Sequence, residues 1–149
     1  MIRTQQFGFS LIELLVVIGI FAILASLALF FSIDFFRTYA TNSEETTLVT
    51  ALSKARSQSL ANVNGVPHGV NVTAGSYTIF EGSSFAARVP SLDQVIEANS
   101  AVHPTSSVEI VFEQLSGNVA ACTTPCSITM AGTNPTKTIT INGEGAILW

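Results

Sequence analysis

Twenty consecutive residues, Leu14–Ile33, carry no charge, and that run constrains this 149-residue chain more than anything else in it. As a helix, a run of that length covers roughly 30 Å, the hydrocarbon thickness of a bilayer. Leu, Ile, Val, Phe and Ala lie on all its faces, so no single apolar stripe is defined. A helix that is apolar all round belongs in lipid or deep in a large core. A chain long enough for only one modest domain has no room for such a core helix. The run therefore predicts a membrane-spanning helix. An ordinary secretory signal has a shorter apolar stretch followed by a small-residue cleavage site. Ala25-Ser26-Leu27-Ala28 imitates such a site, but the run continues past it through Phe30, Phe31 and Ile33.

Just before the run stands Glu13, at a place a plain anchor would avoid. An ionised, unpaired carboxylate in lipid costs a few kcal/mol, so it needs a partner or a task. One reading is local. Ser10-Leu11-Ile12-Glu13 fits a capping box, with Ser10 as the helix cap and the acid at the positive end of the helix dipole. The other requires a cut after Gly8. That cut leaves a free ammonium on Phe9, for which a carboxylate in an apolar layer is the natural partner. Within one chain the two groups lie about one helical turn apart. Between chains, a stagger along the axis brings one chain's Glu13 to its neighbour's Phe9. Both readings hold together, since Ser10 can cap while Glu13 reaches outward.

The segment Gly8-Phe9-Ser10-Leu11-Ile12-Glu13-Leu14-Leu15-Val16-Val17-Ile18 resembles the processing site and helix start of type IV prepilins and type II secretion pseudopilins. The resemblance implies cleavage between Gly8 and Phe9 by a prepilin peptidase, N-methylation of Phe9, and a role for Glu13 in setting each subunit's register during assembly. Arg3 is the only side-chain charge in the implied leader, and its position favours a cytoplasmic leader.

Neither Gly nor Pro occurs between Ile20 and Asn64, so the helix can continue beyond the membrane. From Asp34 the composition turns aqueous, with Arg37, Thr38, Asn42, Glu44 and Glu45. Leu48, Leu52 and Ala55, with Val49 and Leu60 nearby, form an apolar stripe. Packing on the chain's own sheet is the favoured use of it, and a filament-facing groove the other. Asn64-Gly65 and Pro67 stop the helix. Ala55-Arg56-Ser57-Gln58-Ser59-Leu60-Ala61, with Asn64 and Val66-Pro67, resembles the helix end of the GspH/FimT-type subgroup, which implies a minor subunit. The subgroup makes Arg56 a candidate contact, whereas its residue type favours a solvated helix position.

After Pro67 the pattern becomes short strands and turns. Gly69–Thr73 and Tyr77–Glu81 pair around Ala74–Ser76, and Gly82–Pro104 is an irregular surface excursion. Ser107–Glu113 is a strand that turns at Gly117-Asn118 towards Val119–Cys122. Ser127–Met130 and Lys137–Ile141 form a hairpin around Gly132–Pro135, and Gly143 and Gly145 bracket a turn before Ala146–Trp149. The fold class is α+β: a long N-terminal helix, membrane-spanning in its first half, packed on a mostly antiparallel C-terminal sheet, pilin-like. The expected segments are a leader at 1–8, a transmembrane and filament-core helix at 9–33, an amphipathic helix at 34–64 and a β-rich domain at 65–149.

Cys122 and Cys126 enclose three residues, and in an extracytoplasmic domain the default is a disulfide. Metal binding is the alternative, but zinc wants about four ligands and only His68 and His103 are available to supplement the pair. Both histidines are expected at surface or turn positions. No nucleophile elbow, phosphate loop or paired-histidine motif occurs, so no enzyme and no cofactor are expected. Net charge is −4 with six scattered Lys and Arg, which disfavours nucleic acid. The resemblance implies a structural filament subunit held first in a bacterial inner membrane, with a single pass, a cytoplasmic leader and an extracytoplasmic domain. Its implied partners are the peptidase, other pilin or pseudopilin subunits and an inner-membrane assembly platform. The rival readings are a binding minor pilin for DNA uptake or surface adhesion, and a membrane-anchored domain that never assembles.

Overall fold

The structure, a computed structural model, describes residues 8–99, 101–131 and 136–149, and the backbone alone for residues 28–34 and 131. Leader residues 1–7, the expected Gly132–Pro135 turn and the side chains at the end of the apolar run lie outside the described residues. The chain is α+β and pilin-like, with one long helix followed by antiparallel strands. It divides into two units after Arg37, a little beyond the change in composition at Asp34.

Helix α1 spans Leu11–Leu60. In the first unit every described side chain from Gly8 to Leu27 is exposed, so none of these faces is used for packing inside that unit. Among the described residues, no helix is long and apolar enough to cross a membrane. Side chains are described only as far as Leu27 before the twenty-residue run is complete.

In the second unit, Thr38–Trp149, α1 has a defined inner face. Thr41, Glu44, Glu45, Leu48, Leu52, Ala55 and Ser59 are buried at the three- and four-residue spacing of one helix stripe. Leu60 does not belong to it: it is 45% exposed. The helix also stops earlier than Asn64. Asn62 and Asn64 take left-handed conformations, with φ of 53° and 52°, around a short 3-10 turn at Val63–Gly65. Asparagine tolerates that region because its short side chain bonds locally.

Among the described residues eight strands follow: β1 His68–Val72, β2 Ser76–Glu81, β3 Gln94–Glu97, β4 His103–Pro104, β5 Val108–Phe112, β6 Cys126–Ala131, β7 Thr138–Ile141 and β8 Ile147–Leu148. They form two four-stranded sheets rather than one, ordered β3-β2-β1-β5 and β4-β6-β7-β8, with every pairing antiparallel. The Gly82–Pro104 excursion is less irregular than expected, since it supplies β3 to the first sheet and β4 to the second. Val119–Cys122 is a turn and not a strand, closed by the Cys122 amide donating to the Val119 carbonyl at 3.0 Å.

The strand period of two sorts the first sheet into faces. Val70 and Val72, Tyr77 and Ile79, and Ile110 and Phe112 are cross-strand neighbours that share a core with Leu48, Leu52 and Ala55 of α1. Ile128, Met130, Ile139 and Ile141 of the second sheet complete the same core. Burying each such large side chain is worth about 1.5–3 kcal/mol, so this shared core outweighs any single polar tie. On the opposite face Phe80 lies across Gly69. A Cβ at Gly69 would sit 2.5 Å from Phe80 Cζ and 2.8 Å from the Ile110 carbonyl oxygen, so only glycine admits the ring. Phe85 meets Phe80 edge-on at 5.5 Å, and Arg88 covers the Phe85 ring at 3.7 Å while pairing with Asp93 at 2.8 Å.

Candidate functional site

The candidate site is the start of α1. Ser10 Oγ accepts a hydrogen bond from the Glu13 amide at 3.3 Å, and the Leu14 amide donates to the Ser10 carbonyl at 3.2 Å. Ser10 therefore satisfies helix-end groups without help from the Glu13 carboxylate, which remains exposed in the first turn. Phe9 is 87% exposed, and a Cβ added at Gly8 would meet nothing within 4 Å. Among the described residues, nothing demands glycine there or an aromatic ring beside it. The Gly8–Phe9 peptide bond is open to an enzyme. Hydrolysis would release an amine on Phe9 one helical turn from the Glu13 carboxylate, which has no side-chain partner among the described residues.

The remaining candidates lie in the second unit. Cys122 and Cys126 form a disulfide with Cα atoms 5.3 Å apart, and Cys122 is buried. Their sulfurs are thereby unavailable to a metal, and among the described residues no three His, Cys, Asp or Glu side chains converge as ligands. Arg56 is not a solvated helix residue. It is half-buried, and its Nη2 donates to the Glu144 carbonyl at 3.0 Å. Gly145, at φ 72°, lets that loop pass close to Arg56 and the Gly117 carbonyl, where any Cβ would collide. Arg56 thus ties the helix to the last turn of the chain.

His68 also departs from expectation. It lies fully buried in β1, with Nε2 3.6 Å from Glu81 Oε1, and neither ring nitrogen has a hydrogen-bond partner among the described residues. Glu81 is held from the other side by Asn64 Nδ2, at 2.9 and 3.0 Å to its two oxygens. His103 is half-buried in β4 beside the Pro104 carbonyl.

Polar ties between α1 and the rest of the second unit also escaped the sequence reading. Ser59 Oγ, fully buried, accepts the His68 amide at 2.8 Å and donates to the Phe112 carbonyl at 2.9 Å, joining the helix to β1 and β5 at once. Tyr77 donates its hydroxyl to Glu44 Oε1 at 2.6 Å. Burial, then that hydrogen bond and the carboxylate's charge, push the phenol far above its ordinary range. Lys137 pairs with Glu45 at 2.9 Å. A signal for these existed: Glu44, Glu45 and Ser59 are in phase with Leu48, Leu52 and Ala55, so acids and a hydroxyl on an inward stripe mark buried partners.

Comparison with known proteins places one feature firmly. Residues 3–29 match the prokaryotic N-terminal methylation motif. No curated protein and no solved structure matches the chain. The motif is that of a type IV prepilin-like leader, and it implies processing by a prepilin peptidase, assembly with other pilins and a membrane-anchored, envelope-associated protein.

Proposed function

Starting from a chain that carries a type IV prepilin-like leader, we propose that it is a minor structural subunit of a type IV pilus-like or type II secretion pseudopilus filament, of the GspH/FimT type. The observation that carries this is the coincidence of the matched motif with an α1 start whose apolar side chains are all exposed. Large exposed apolar surface marks a partner, and here the partners are first lipid and then neighbouring helices.

The cycle follows from the residues. The leader, residues 1–8, stays cytoplasmic while the helix of residues 9–33 spans the inner membrane once and residues 34–149 stand outside it. The peptidase cuts after Gly8, and methylation of the new Phe9 amine keeps its positive charge. An inner-membrane assembly platform then moves the subunit from lipid into the filament. Helix packing replaces lipid packing with little net change, so polar pairing decides register. Glu13 of the incoming subunit takes the Phe9 ammonium of its neighbour. The role is assembly and not catalysis. It is tested by replacing Glu13 with Ala in cells that express the whole machine and measuring incorporation by cross-linking and immunoblotting of sheared filaments. Loss of incorporation with an intact, disulfide-bonded second unit is expected. Undiminished incorporation of Glu13→Ala would refute the register role.

A further inference from the structure

The bond that the peptidase cuts lies just ahead of a helix. Gly8, Phe9 and Ser10 precede α1, whose first residue is Leu11. The first carbonyl in the helical ladder is that of Ser10, which accepts from the Leu14 amide. Among the described residues neither Gly8 nor Phe9 makes a hydrogen bond. The Gly8 carbonyl is thus open to an enzyme. In the cut, the oxygen of water adds to the Gly8 carbonyl carbon, the C–N bond to Phe9 breaks, and its electron pair takes a proton to leave an amine. Negative charge grows meanwhile on the Gly8 carbonyl oxygen, which must accept hydrogen bonds from the enzyme.

The flanking sequence does not by itself keep the helix away from this bond. Residues 4–7 contain neither Gly nor Pro, and Gly8 weakens a helix without forbidding one. If the helix began two residues earlier, with Gly8 as its cap, the Ile12 amide would bond the Gly8 carbonyl and Phe9 would take helical angles. The oxygen that the enzyme must reach would then be spent on the ladder.

Ser10 opposes that shift. Its Oγ accepts the Glu13 amide at 3.3 Å. Serine makes that bond from the non-helical cap conformation, so drawing Ser10 into the helix breaks it. Serine is also a weaker helix former than Ala, so both preferences act in the same direction. Its side chain is exposed and has no other partner among the described residues, so packing does not account for it.

We infer that Ser10 is a positioning residue for leader removal: its hydroxyl fixes the start of α1 at Leu11 and so keeps the Gly8–Phe9 bond outside the helix, where the peptidase reaches it. This role rests on the leader reading above and names a side chain that makes the leader cleavable. Ser10 lies on the mature side of the cut, so the cap outlasts processing.

The test uses the full-length precursor in detergent micelles with purified prepilin peptidase, and mass spectrometry of the released mature chain gives initial rates. Ser10→Ala lets the helix take in Phe9. Only the uncoiled fraction then binds, so KM is expected to rise roughly three- to tenfold with kcat unchanged. Ser10→Asn restores the cap with an amide. Ser10→Gly keeps the boundary with no side chain at all, since glycine serves at a cap and resists the helix. Both are expected within about twofold of wild type. Backbone Cα chemical shifts of Gly8 and Phe9 in the same micelles read the boundary directly: helical in Ser10→Ala, non-helical in the other three proteins. The proposal is overturned if Ser10→Ala matches wild type in KM, if its loss falls on kcat alone, if neither Ser10→Asn nor Ser10→Gly restores it, or if the Gly8 and Phe9 shifts stay non-helical in Ser10→Ala. A wild-type chain that the peptidase does not cut at all overturns the leader reading with it.

Discussion

Replacing Ser59 with Ala removes one oxygen that serves two buried backbone groups. The His68 amide loses its 2.8 Å acceptor and the Phe112 carbonyl its 2.9 Å donor, at a position with no exposure to water. Each buried group left unsatisfied costs about 1–3 kcal/mol, and the hydrophobic gain of a methyl in place of a hydroxyl offsets part of this. The expected net loss is about 2–4 kcal/mol. Ser57→Ala, on the exposed side of the same helix turn, is the control and should stay within about 0.5 kcal/mol. Urea unfolding of the full-length protein in a fixed detergent, followed by near-UV circular dichroism, reads the difference. With a slope of about 1.5 kcal/mol per molar urea, a 3 kcal/mol loss moves the midpoint down by about 2 M. An unchanged slope is required for that conversion. If Ser59→Ala and Ser57→Ala have the same midpoint, the hydroxyl does not join helix to sheet as argued.

Two further perturbations address the second unit. The raised Tyr77 phenol means that, above the ordinary tyrosine value of about 10, the unfolded chain releases a proton that the folded chain retains. The stability associated with the protonated phenol is therefore complete below about pH 10 and is lost as pH climbs beyond it. Tyr77→Phe should be about 1–3 kcal/mol less stable at pH 7, because Glu44 loses its donor, yet show a shallower alkaline decline in a urea series from pH 8 to 11.5. An equal decline in both proteins would contradict the assignment. Replacing Cys122 and Cys126 by Ala opens a loop of four-residue separation and should cost about 2 kcal/mol in the same urea assay.

The parts of this chain that were legible in its sequence are those governed by one strong, local rule. Leu48, Leu52 and Ala55 could be assigned to a buried stripe because helical spacing alone carries that signal, and the core contains all three. The β1–β2 and β6–β7 hairpins were visible because alternation and turn residues lie close together in the chain. What escaped depends on contacts distant in sequence. β3 and β4 are too short to show a period, and only pairing with β2 and β6 makes them strands. The split into two sheets is likewise a property of the shared core and not of any segment. His68 was misplaced because a lone histidine next to a proline reads as a turn, whereas its neighbours Val70 and Val72 carry it inward on the same strand face. Arg56 was misread for a related reason: its partner is a carbonyl at Glu144, and no sequence pattern encodes that. At the candidate site the position is reversed. Among the described residues, the side chains of Phe9 and Glu13 and the missing side chain of Gly8 meet no intrachain demand, so the motif carried the information and the structure contributed their exposure.

The most direct test of the account is the mass of the mature N-terminus, read by intact and peptide mass spectrometry on protein purified from a strain with its own prepilin peptidase. The account predicts a chain that begins at Phe9 and carries one methyl group on its amine, with the longer form accumulating when the peptidase is deleted. A chain that retains Met1 in the presence of the active peptidase, or that is cut near Ala28 instead, would contradict it.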